Sequence, residues 1–372
     1  MDYVRPGRPE KPKRKQVNRV NELGDLNMQY VRNNWYPVAW SHDIEHSLTR
    51  RTVLKENIVL YRTTDGRVAA LADLCPHRFL PLSLGRLNGN NVECGYHGTT
   101  FDCNGKCVRV PGQDIIPRDA VVKSYPVVEN MGTVWLWMGD PKAADQDKVY
   151  NLPEFHDSKW SIVFGDALHI KADYLSLAEN LTDPSHVSFV HPTTLGTSSG
   201  QNAPVQNEKR DNTIVVWRWI MNVDPIPLFA KYGNFKGNVD RWQYYYYHVP
   251  SVAMIDFGNV ETGVISEGDR SKGLRMFTGH FITPVDDRTC IDHWLNLRNF
   301  SHNDREIDDQ IRKDLRAAFA EDKAVLEAIQ QEVDVNSNLK PIHLAIDAGP
   351  LRMRRILDQM ISQEKNVTTA VA

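Results

Sequence analysis

The pattern of apolar and polar positions divides the chain into two blocks joined by a polar segment. In the first block, from Trp35 to about Met138, short apolar runs such as Ile58 to Tyr61 and Val68 to Leu71 are joined by turn residues such as Asp65-Gly66. Short runs joined in this way are typical of β-hairpins, so this block is predicted to be all β. The Asp- and Lys-rich segment Gly139 to Lys148 is predicted to be a linker.

The second block combines an antiparallel sheet with helices. It contains four runs that are enriched in β-branched and aromatic residues: Thr213 to Met221, Asp240 to Val249, Leu274 to Thr283 and Thr289 to Asn299. A helical stretch near Asp173 to His191 precedes these predicted strands, and long helices follow them. Strands followed by helices, rather than strict alternation, predict an α+β domain whose helices pack on one face of the sheet.

One helix, predicted from about Asp304 to Val333, carries a carboxylate on its apolar face. The stripe on that face advances in steps of four and three through Leu315, Phe319, Asp322, Leu326, Ile329 and Val333. A carboxylate on a buried face is costly unless its charge is compensated, and a cation is the simplest compensation. A salt bridge to Arg or Lys is the alternative. Glu321 points about 100° away from Asp322 and is expected to be less buried.

Composition narrows the class of function. A chain of 372 residues, 41% hydrophobic and 24% charged, is long enough for two domains with cores of their own. A net charge of -3 gives no reason to expect nucleic acid or an anionic membrane as partner, and no apolar run is long enough to span a bilayer. Small-molecule chemistry is therefore expected.

Cysteine usage and the start of the chain bear on location. The odd number of cysteines, five, and the absence of a secretory n-region and h-region predict a reducing compartment, the cytoplasm. The sequence through Arg19 is rich in Lys, Arg and Pro. It is predicted to be a solvated, poorly ordered arm, with docking of an acidic redox partner as the alternative.

Two short motifs each pair one thiol with one imidazole. They are Cys75-Pro76-His77 and Cys94-Gly95-Tyr96-His97, with sixteen residues between them. Two Cys on one iron and two His on the other is the ligand set of a Rieske [2Fe-2S] cluster. A structural Cys2His2 zinc site is the alternative, but zinc fingers usually pair Cys with Cys and His with His. Cys103 and Cys107 are expected to be reduced strand or turn residues, and Cys290 a packed thiol.

A second candidate metal site lies in the segment from Asn180 to His191. His186 and His191 are about 140° apart on an ideal helix, but Pro184 and Pro192 favour a distorted or terminated helix on which both could face one ion. An ordinary pair of hydrogen-bonded histidines is the alternative. Together with Asp322 they would form the two-His, one-carboxylate triad of non-haem Fe(II) oxygenases, which leaves positions open for oxygen and substrate.

These residues resemble the Rieske non-haem iron ring-hydroxylating and O-demethylating oxygenases. The resemblance extends from Trp35 to about Glu364 and is closest to the short oxygenase subunits typified by vanillate O-demethylase and dicamba monooxygenase. It is carried by the two Cys/His motifs, Asn180 to His191, Glu321-Asp322-Lys323 and Asp347-Ala348-Gly349.

The resemblance implies an organisation and a set of roles. A basic arm and lead-in (residues 1–34) would precede an all-β Rieske domain (35–140) and a helix-grip catalytic domain (141–372). His186, His191 and Asp322 would hold the mononuclear Fe(II), with Asn180 close to it. The chain would form a homotrimer in which Asp183 links His186 to His97 of the partner subunit. From its residues alone, Asp183 before a proline favours a helix N-cap instead.

Electrons must come from outside, because the sequence contains no Gly-x-Gly-x-x-Gly after a strand, no P-loop and no all-Cys ferredoxin pattern. A separate NAD(P)H-dependent reductase or a ferredoxin is therefore predicted as partner. The chain is interpreted as the terminal oxygenase component of a Rieske monooxygenase that uses O2 to O-demethylate or hydroxylate a small aromatic compound. The alternatives are an N-demethylase or ring-hydroxylating oxygenase, a non-catalytic Rieske electron carrier, and a zinc-stabilised binding protein.

The substrate contacts are the least determined part of the prediction. In the run Tyr244 to His248, Tyr245 and Tyr247 would share one face of a strand and could stack an aromatic ring, or simply pack the sheet. The candidates for substrate binding are Tyr245, Tyr247, His248 and His293. Arg241, His293 and Arg298 could recognise a carboxylate.

Overall fold

The structure is a computed structural model that describes residues 30–371, with side chains described for residues 30–366. The basic arm predicted at the N-terminus lies almost entirely outside the described residues. The strands that precede the polar segment are β1 (Trp35–Trp40), β2 (Thr49–Val53), β3 (Glu56–Arg62), β4 (Val68–Ala72), β5 (Arg86–Asn88), β6 (Asn91–Glu93), β7 (Thr100–Phe101), β8 (Cys107–Arg109), β9 (Val127–Asn130) and β10 (Thr133–Trp137).

These strands form three small antiparallel sheets, in the orders β1-β10-β9, β2-β3-β4 and β5-β6-β7-β8. The predicted hairpin is the pair β3 and β4, most of whose apolar residues are buried. Its turn contains Gly66 with φ of +87°, a backbone conformation that glycine adopts without the steric cost of a side chain. The sequence therefore folds locally as its turn residues predict.

The second block forms one antiparallel sheet of seven strands. They are β11 (Ser161–Ile170), β12 (Gln206–Arg210), β13 (Thr213–Val223), β14 (Val239–His248), β15 (Val252–Glu261), β16 (Leu274–Asp286) and β17 (Thr289–Arg298), in the order β11-β17-β16-β15-β14-β13-β12. The helices are α1 (Tyr174–Asn180), α2 (Val187–Val190), α3 (Pro227–Ala230), α4 (Arg305–Val335) and α5 (Ala348–Val371).

The two long helices pack on one face of this sheet. Leu315 and Phe319 of α4 lie in a core with Met276 of β16 and Trp294 of β17. Ile356 and other residues of α5 pack in a second core that includes β13 and β14. The α+β prediction is confirmed, with an all-β first part and a larger sheet-plus-helix second part.

The second core crosses between the two parts of the chain. It contains Val38 and Leu136 from the small sheets together with Val216 from the large one. The backbone N–H groups of Leu54 and Lys55 donate to the carbonyls of Pro284 and Val285, at 2.8 Å each. The two parts are thus in continuous contact, and the domain boundaries at residues 34/35 and 140/141 stay a prediction.

The structure also departs from the sequence prediction in detail. β11, β12 and β15 were not among the predicted strands, and the helical stretch near Asp173 to His191 is two short helices with a break around Pro184. On α4 the buried stripe continues from Leu326 to Gln330, so that Ile329 is exposed. None of the helices in the described part of the chain is long and apolar enough to cross a membrane.

Candidate metal centres and substrate cavity

The two Cys/His motifs lie in loops with the same backbone hydrogen bonds. In each loop the cysteine N–H donates to the carbonyl five residues ahead, and the cysteine carbonyl accepts from the N–H four residues ahead, all at 2.9 to 3.0 Å. The residues at that fourth position, Phe79 and Gly98, both have positive φ, 61° and 71°. The matched turns present the Cys and His of the two loops to each other.

The four side chains divide into a buried pair and an exposed pair. Cys75 and Cys94 are each 2% exposed and lie close to each other, whereas His77 and His97 are exposed. The two imidazole rings lie 4.6 Å apart between centroids. Burial raises the pKa of the Cys75 thiol, so a bound cation would be needed to keep the thiolate there.

This arrangement fits a two-iron cluster with a buried thiolate side and an exposed imidazole side. The four ligand atoms are not gathered around one point, unlike those of a second group described below. A single tetrahedral zinc ion would require such convergence. Cys103 is partly buried and Cys107 is buried beside the loops, where both are free thiols, as is the buried Cys290.

The second candidate centre is built from the broken helix and from α4. Among the described residues, His186, His191 and Asp322 form the one group of three His, Cys, Asp or Glu whose ligand atoms all lie within 4.8 Å of one another. The break before α2 turns His186 and His191 toward the same point, which a regular helix would prevent. Asp322 Oδ1 lies 3.5 Å from His186 Nε2 and 3.1 Å from His191 Nε2.

Two neighbours orient these side chains. Asn180 Nδ2 donates to Asp322 Oδ1 at 3.0 Å, and His191 Nδ1 lies 2.8 Å from Glu321 Oε2. A proton on His191 Nδ1 leaves Nε2 as the nitrogen free to bind a metal, which is the role of the outer carboxylate in metal sites. Glu321, expected from the sequence only to be less buried than Asp322, is 38% exposed and has this positioning role as well.

The electrostatics of the three side chains favour a cation at their centre. Burial would raise the pKa of Asp322, but the hydrogen bond and charge of His191 hold it below its ordinary value. Burial lowers the pKa of His186, which is thus held neutral, the form that binds metals. Burial also opposes charge on His191, but the Asp322 and Glu321 carboxylates outweigh it and raise its pKa.

Changing Glu321 to Gln tests its positioning role. The neutral amide is a weaker acceptor for the His191 ring proton, so we expect the affinity for Fe(II) at this centre to fall by about tenfold, within the range for outer partners of metal ligands. Fe(II) titration of the metal-depleted protein measures this affinity. Glu332→Gln, an exposed position farther along α4, serves as control. Equal Fe(II) affinity in both variants would show that Glu321 does not position His191 for metal binding.

Asp183 lies next to His186 on the side away from Asp322. Its Oδ2 is 3.9 Å from His186 Nδ1, a buried nitrogen with no hydrogen-bond partner among the described residues. Its Oδ1 accepts from the Ser185 backbone N–H at 2.7 Å and from the Ser185 hydroxyl. Asp183 therefore has the short local turn expected of a cap residue, and a second oxygen free to approach the ring.

A cavity opens onto the three converging side chains. The space between its walls is about 510 Å³, part of which is open to solvent. Its walls are mostly apolar and come from α1, α2, α4 and the helix-covered face of the sheet; they include Leu181, Val187, Leu195, Ile255, Phe257, Leu315 and Phe319. The candidate metal ligands and the cavity thus form one continuous site.

Of the predicted substrate residues, the structure brings one to this cavity. Tyr245 lines it. Tyr247 is on the same strand face but is fully buried, and its hydroxyl donates to the Pro250 carbonyl at 2.5 Å. His248 is on the other face, where its ring lies against Tyr150 and 2.8 Å from the Thr213 hydroxyl. His293 is fully buried against Trp40.

The residues that the sequence suggested for recognising a carboxylate also lie outside the cavity wall. Burial lowers the pKa of His248 to about 4 and that of His293 to about 3, so neither would be charged to attract a carboxylate at neutral pH. Arg298 is paired with Asp308, and Arg241, whose Nη1 donates to the Thr197 hydroxyl, does not line the cavity. The sequence reasoning missed two polar wall residues, Gln243 and Thr278. Gln243 could have been predicted as a wall residue, because it lies two residues before Tyr245 and therefore on the same face of the strand.

Two matched Cys/His loops that suit a [2Fe-2S] cluster, together with a two-His, one-carboxylate group at an apolar cavity, are the features of a Rieske-type non-haem iron oxygenase. Comparison with known proteins agrees. Residues 34–126 match the Rieske [2Fe-2S] domain, and residues 170–363 match the vanillate O-demethylase oxygenase C-terminal domain.

Similarity extends over almost the whole chain. The iron-sulfur subunit of a toluene-4-sulfonate monooxygenase system from Comamonas testosteroni is 37% identical, with 91% of this chain and 99% of the relative covered. The dicamba O-demethylase oxygenase component of Stenotrophomonas maltophilia is 33% identical, with 90% and 98% covered. A crystal structure of dicamba monooxygenase bound to dicamba has a TM-score of 0.83 at 30% identity, with 91% of this chain and 100% of that chain covered.

The chain therefore belongs to the family of Rieske oxygenase components with the vanillate O-demethylase type of C-terminal domain. The resemblance inferred from the sequence is confirmed, as are the predicted class of enzyme, an O2-dependent oxygenase component, and its cofactors, a [2Fe-2S] cluster and iron. The alternative of a non-catalytic electron carrier does not fit the relatives, which are oxygenase components.

Proposed function

We propose that this protein is the terminal oxygenase of a multicomponent system that demethylates or hydroxylates a small aromatic compound with O2. The observation that carries the proposal is the apolar cavity that opens onto His186, His191 and Asp322. Relatives named for vanillate and dicamba O-demethylation share this organisation, and a chloroacetanilide N-alkylformylase from Rhizorhabdus wittichii shows that N-dealkylation belongs to the same family.

In this proposal the chain's own residues hold the iron, orient its ligands and exclude water from the site. His186, His191 and Asp322 would hold Fe(II), which when bound supplies the activation of O2. Asn180 and Glu321 fix the orientation of Asp322 and His191 through the hydrogen bonds described above. The apolar walls, among them Leu315 and Phe319, keep water from the reacting groups and hold the ring of the substrate against α4.

We further propose that Cys75, His77, Cys94 and His97 hold the cluster and that electrons leave it through the exposed imidazoles. The loops around these rings expose large apolar side chains, including Phe79 at 68% and Tyr96 at 61%. Phe189, on α2 beside the iron ligands, is 67% exposed. Apolar surface at both centres supports a ring-shaped homotrimer in which the cluster loops of one subunit cover the iron site of the next, with Asp183 between His186 and His97 of the partner subunit.

A reconstituted system tests the proposed function. The purified chain, a surrogate reductase and NADH are incubated with methoxylated, N-methylated and methyl-substituted aromatic compounds, and O2 uptake and formaldehyde release are recorded. Formaldehyde release coupled to O2 uptake would identify a demethylase, and a hydroxymethyl product without formaldehyde would identify a methyl hydroxylase. Absence of O2 uptake with every compound, although the donor reduces the cluster, would overturn the proposal.

The chain alone should not use NADH. Both parts of the described structure are built from antiparallel strand pairs, whereas dinucleotide-binding folds use a parallel sheet with a glycine-rich turn. We expect no NADH oxidation until a reductase is added, as measured by absorbance at the NADH band. NADH oxidation by the chain alone would contradict the need for a separate electron donor.

We place the protein in the cytoplasm. None of the five cysteines forms a disulfide, as expected in a reducing compartment. The supply of electrons from an NAD(P)H-dependent donor agrees with this location.

A further inference from the structure

A fully buried carboxylate lies just before the first Cys/His motif. Asp73 directly follows β4, and the exposed fraction of its side chain is 0%. It is two residues before Cys75, so the Cα atoms of these residues are at most about 7 Å apart. Any charge on Asp73 therefore acts at short range on a group that Cys75 binds.

Both oxygens of this carboxylate are held by one residue. Asp73 Oδ1 accepts from the backbone N–H of Ser83 at 2.6 Å, and Oδ2 accepts from the Ser83 hydroxyl at 2.7 Å. The backbone N–H of Asp73 donates to the Asn57 carbonyl at 2.9 Å. The carboxylate is thus fixed in one orientation.

The same hydrogen bonds link the two loops that carry the Cys/His motifs. Ser83 lies in a single helical turn, Leu82–Leu84, and Leu82 is buried in the same core as both cysteines of the motifs. The carbonyl oxygen of Leu84 is so close to Gly95 that a side-chain carbon on this glycine would lie 2.8 Å from it. Asp73 therefore positions a turn against which the second loop packs.

This positioning role does not by itself require a charge. A serine hydroxyl can accept as well as donate, so an amide at position 73 could keep both contacts with Ser83. The carboxylate adds a negative charge. Its ion-pair partner among the described residues is Arg50, whose Nε lies 3.4 Å from Asp73 Oδ2. Because the Arg50 side chain is 46% exposed, solvent screens its charge and compensation of the carboxylate is partial.

A negative charge at this place opposes reduction of a cluster. A [2Fe-2S] unit held by two thiolates and two neutral imidazoles has no net charge when oxidised, and it gains one negative charge when it accepts an electron. A nearby carboxylate raises the free energy of the reduced form more than that of the oxidised form. Net charge around a cluster is one of the factors that determine its reduction potential.

We propose that Asp73 is a positioning residue for the cluster whose buried charge lowers the reduction potential, with Arg50 limiting the size of this effect. A lower potential makes the reduced cluster a stronger electron donor to the mononuclear iron. The inference rests on the proposed cluster ligands and does not depend on which compound is oxidised.

A redox titration of the cluster tests the proposal without turnover. The purified wild-type protein and Asp73→Asn are titrated anaerobically with dithionite in the presence of mediator dyes, and the visible absorption of the cluster is recorded. We expect the midpoint of Asp73→Asn to rise by about 59 mV, which is a tenfold change in the ratio of reduced to oxidised cluster for one electron. Iron and sulfide content should stay the same, because the amide keeps its contacts with Ser83.

A second variant should move the midpoint the other way. Arg50→Gln removes the partial compensation of Asp73, so we expect a lower midpoint, with about a twofold change in the same ratio because the exposed guanidinium is screened. A mere disturbance of the loops gives no reason for opposite shifts. Asp65→Asn is the control, since it makes the same change in net charge at the exposed turn before β4, and its midpoint should equal that of the wild type.

The outcomes distinguish this inference from the assignment of the cluster ligands. A midpoint of Asp73→Asn at or below the wild-type value, or shifts of both variants in the same direction, would overturn the role of the charge. If Asp73→Asn does not retain the cluster, Arg50→Gln decides: a lower midpoint supports the proposal, and an unchanged or higher one overturns it. A wild-type chain without any cluster would overturn the proposed ligands, and this inference with them.

Discussion

Replacing Asp183 by Asn is expected to stop catalysis while both iron centres stay filled. Asp183 Oδ2 lies 3.9 Å from His186 Nδ1, and in the proposed trimer the same carboxylate also accepts from His97 of the partner subunit. An amide cannot accept from two imidazole N–H groups with the strength of a carboxylate, since half of its polar end is a donor. We expect product formation to fall by about a hundredfold, at the upper end of the range for outer partners of metal ligands.

The loss should be located in the transfer of electrons between centres. In rapid mixing of the reduced protein with O2 and substrate, the cluster's visible absorption should recover slowly, whereas iron content and reduction by the donor stay normal. Asp173→Asn is a matched control, because Asp173 caps α1 through the N–H groups of Leu175 and Ser176 and an Asn can replace it in that role. Reoxidation of the cluster at the normal rate in Asp183→Asn would show that Asp183 is only a local cap.

Replacing Asp322 by Ala is expected to empty the mononuclear site and leave the cluster in place. Asp322 is 7% exposed and is the one anionic member of its group, so its loss leaves two neutral ligands around a divalent ion. We expect iron content to fall from about three to about two per chain, with the absorption of the [2Fe-2S] cluster unchanged. O2-dependent turnover should fall by more than about a hundredfold, because removing a ligand costs more than removing its outer partner.

A carboxylate on the same helix provides the comparison. Asp309 is exposed on α4 and pairs with Arg312, so Asp309→Ala should keep all three irons and full activity. Iron analysis together with the paramagnetic signal of the reduced cluster distinguishes the two centres. Three irons per chain in Asp322→Ala would mean that the third iron is held elsewhere, and the assignment of this ligand group would then be wrong.

The two candidate centres could be read from the sequence because their chemistry is local. Each Cys/His pair lies within four residues, and His186 and His191 lie in one segment. Asp322 is 131 residues from His191, but it could be identified as a carboxylate within the apolar stripe of a predicted helix. Its burial in the structure agrees with that reasoning. The fold class followed from the order of strand-like and helix-like runs.

The cavity wall could not be read in the same way. Its polar residues are defined by partners on other strands: Gln243 by Arg218, and Thr278 by Asn296. Neither pair has a spacing in the sequence that marks it as functional. The histidines His248 and His293 attracted attention by residue type, although each is satisfied within the protein by packing and local hydrogen bonds.

The backbone hydrogen bonds from Leu54 and Lys55 to Pro284 and Val285 restrict how such enzymes can be recombined. They attach a hairpin of the small sheets to the end of a strand in the large one, and Thr283 adds a bond from its hydroxyl to the Pro37 carbonyl at 2.6 Å. A chimaera that takes the residues before the polar segment Gly139 to Lys148 from one relative and the remainder from another would have to preserve the path of β16 where it makes these contacts. Replacing the small sheets of this chain by those of a relative is therefore expected to succeed only when the hydrogen bonds to Pro284 and Val285 are kept.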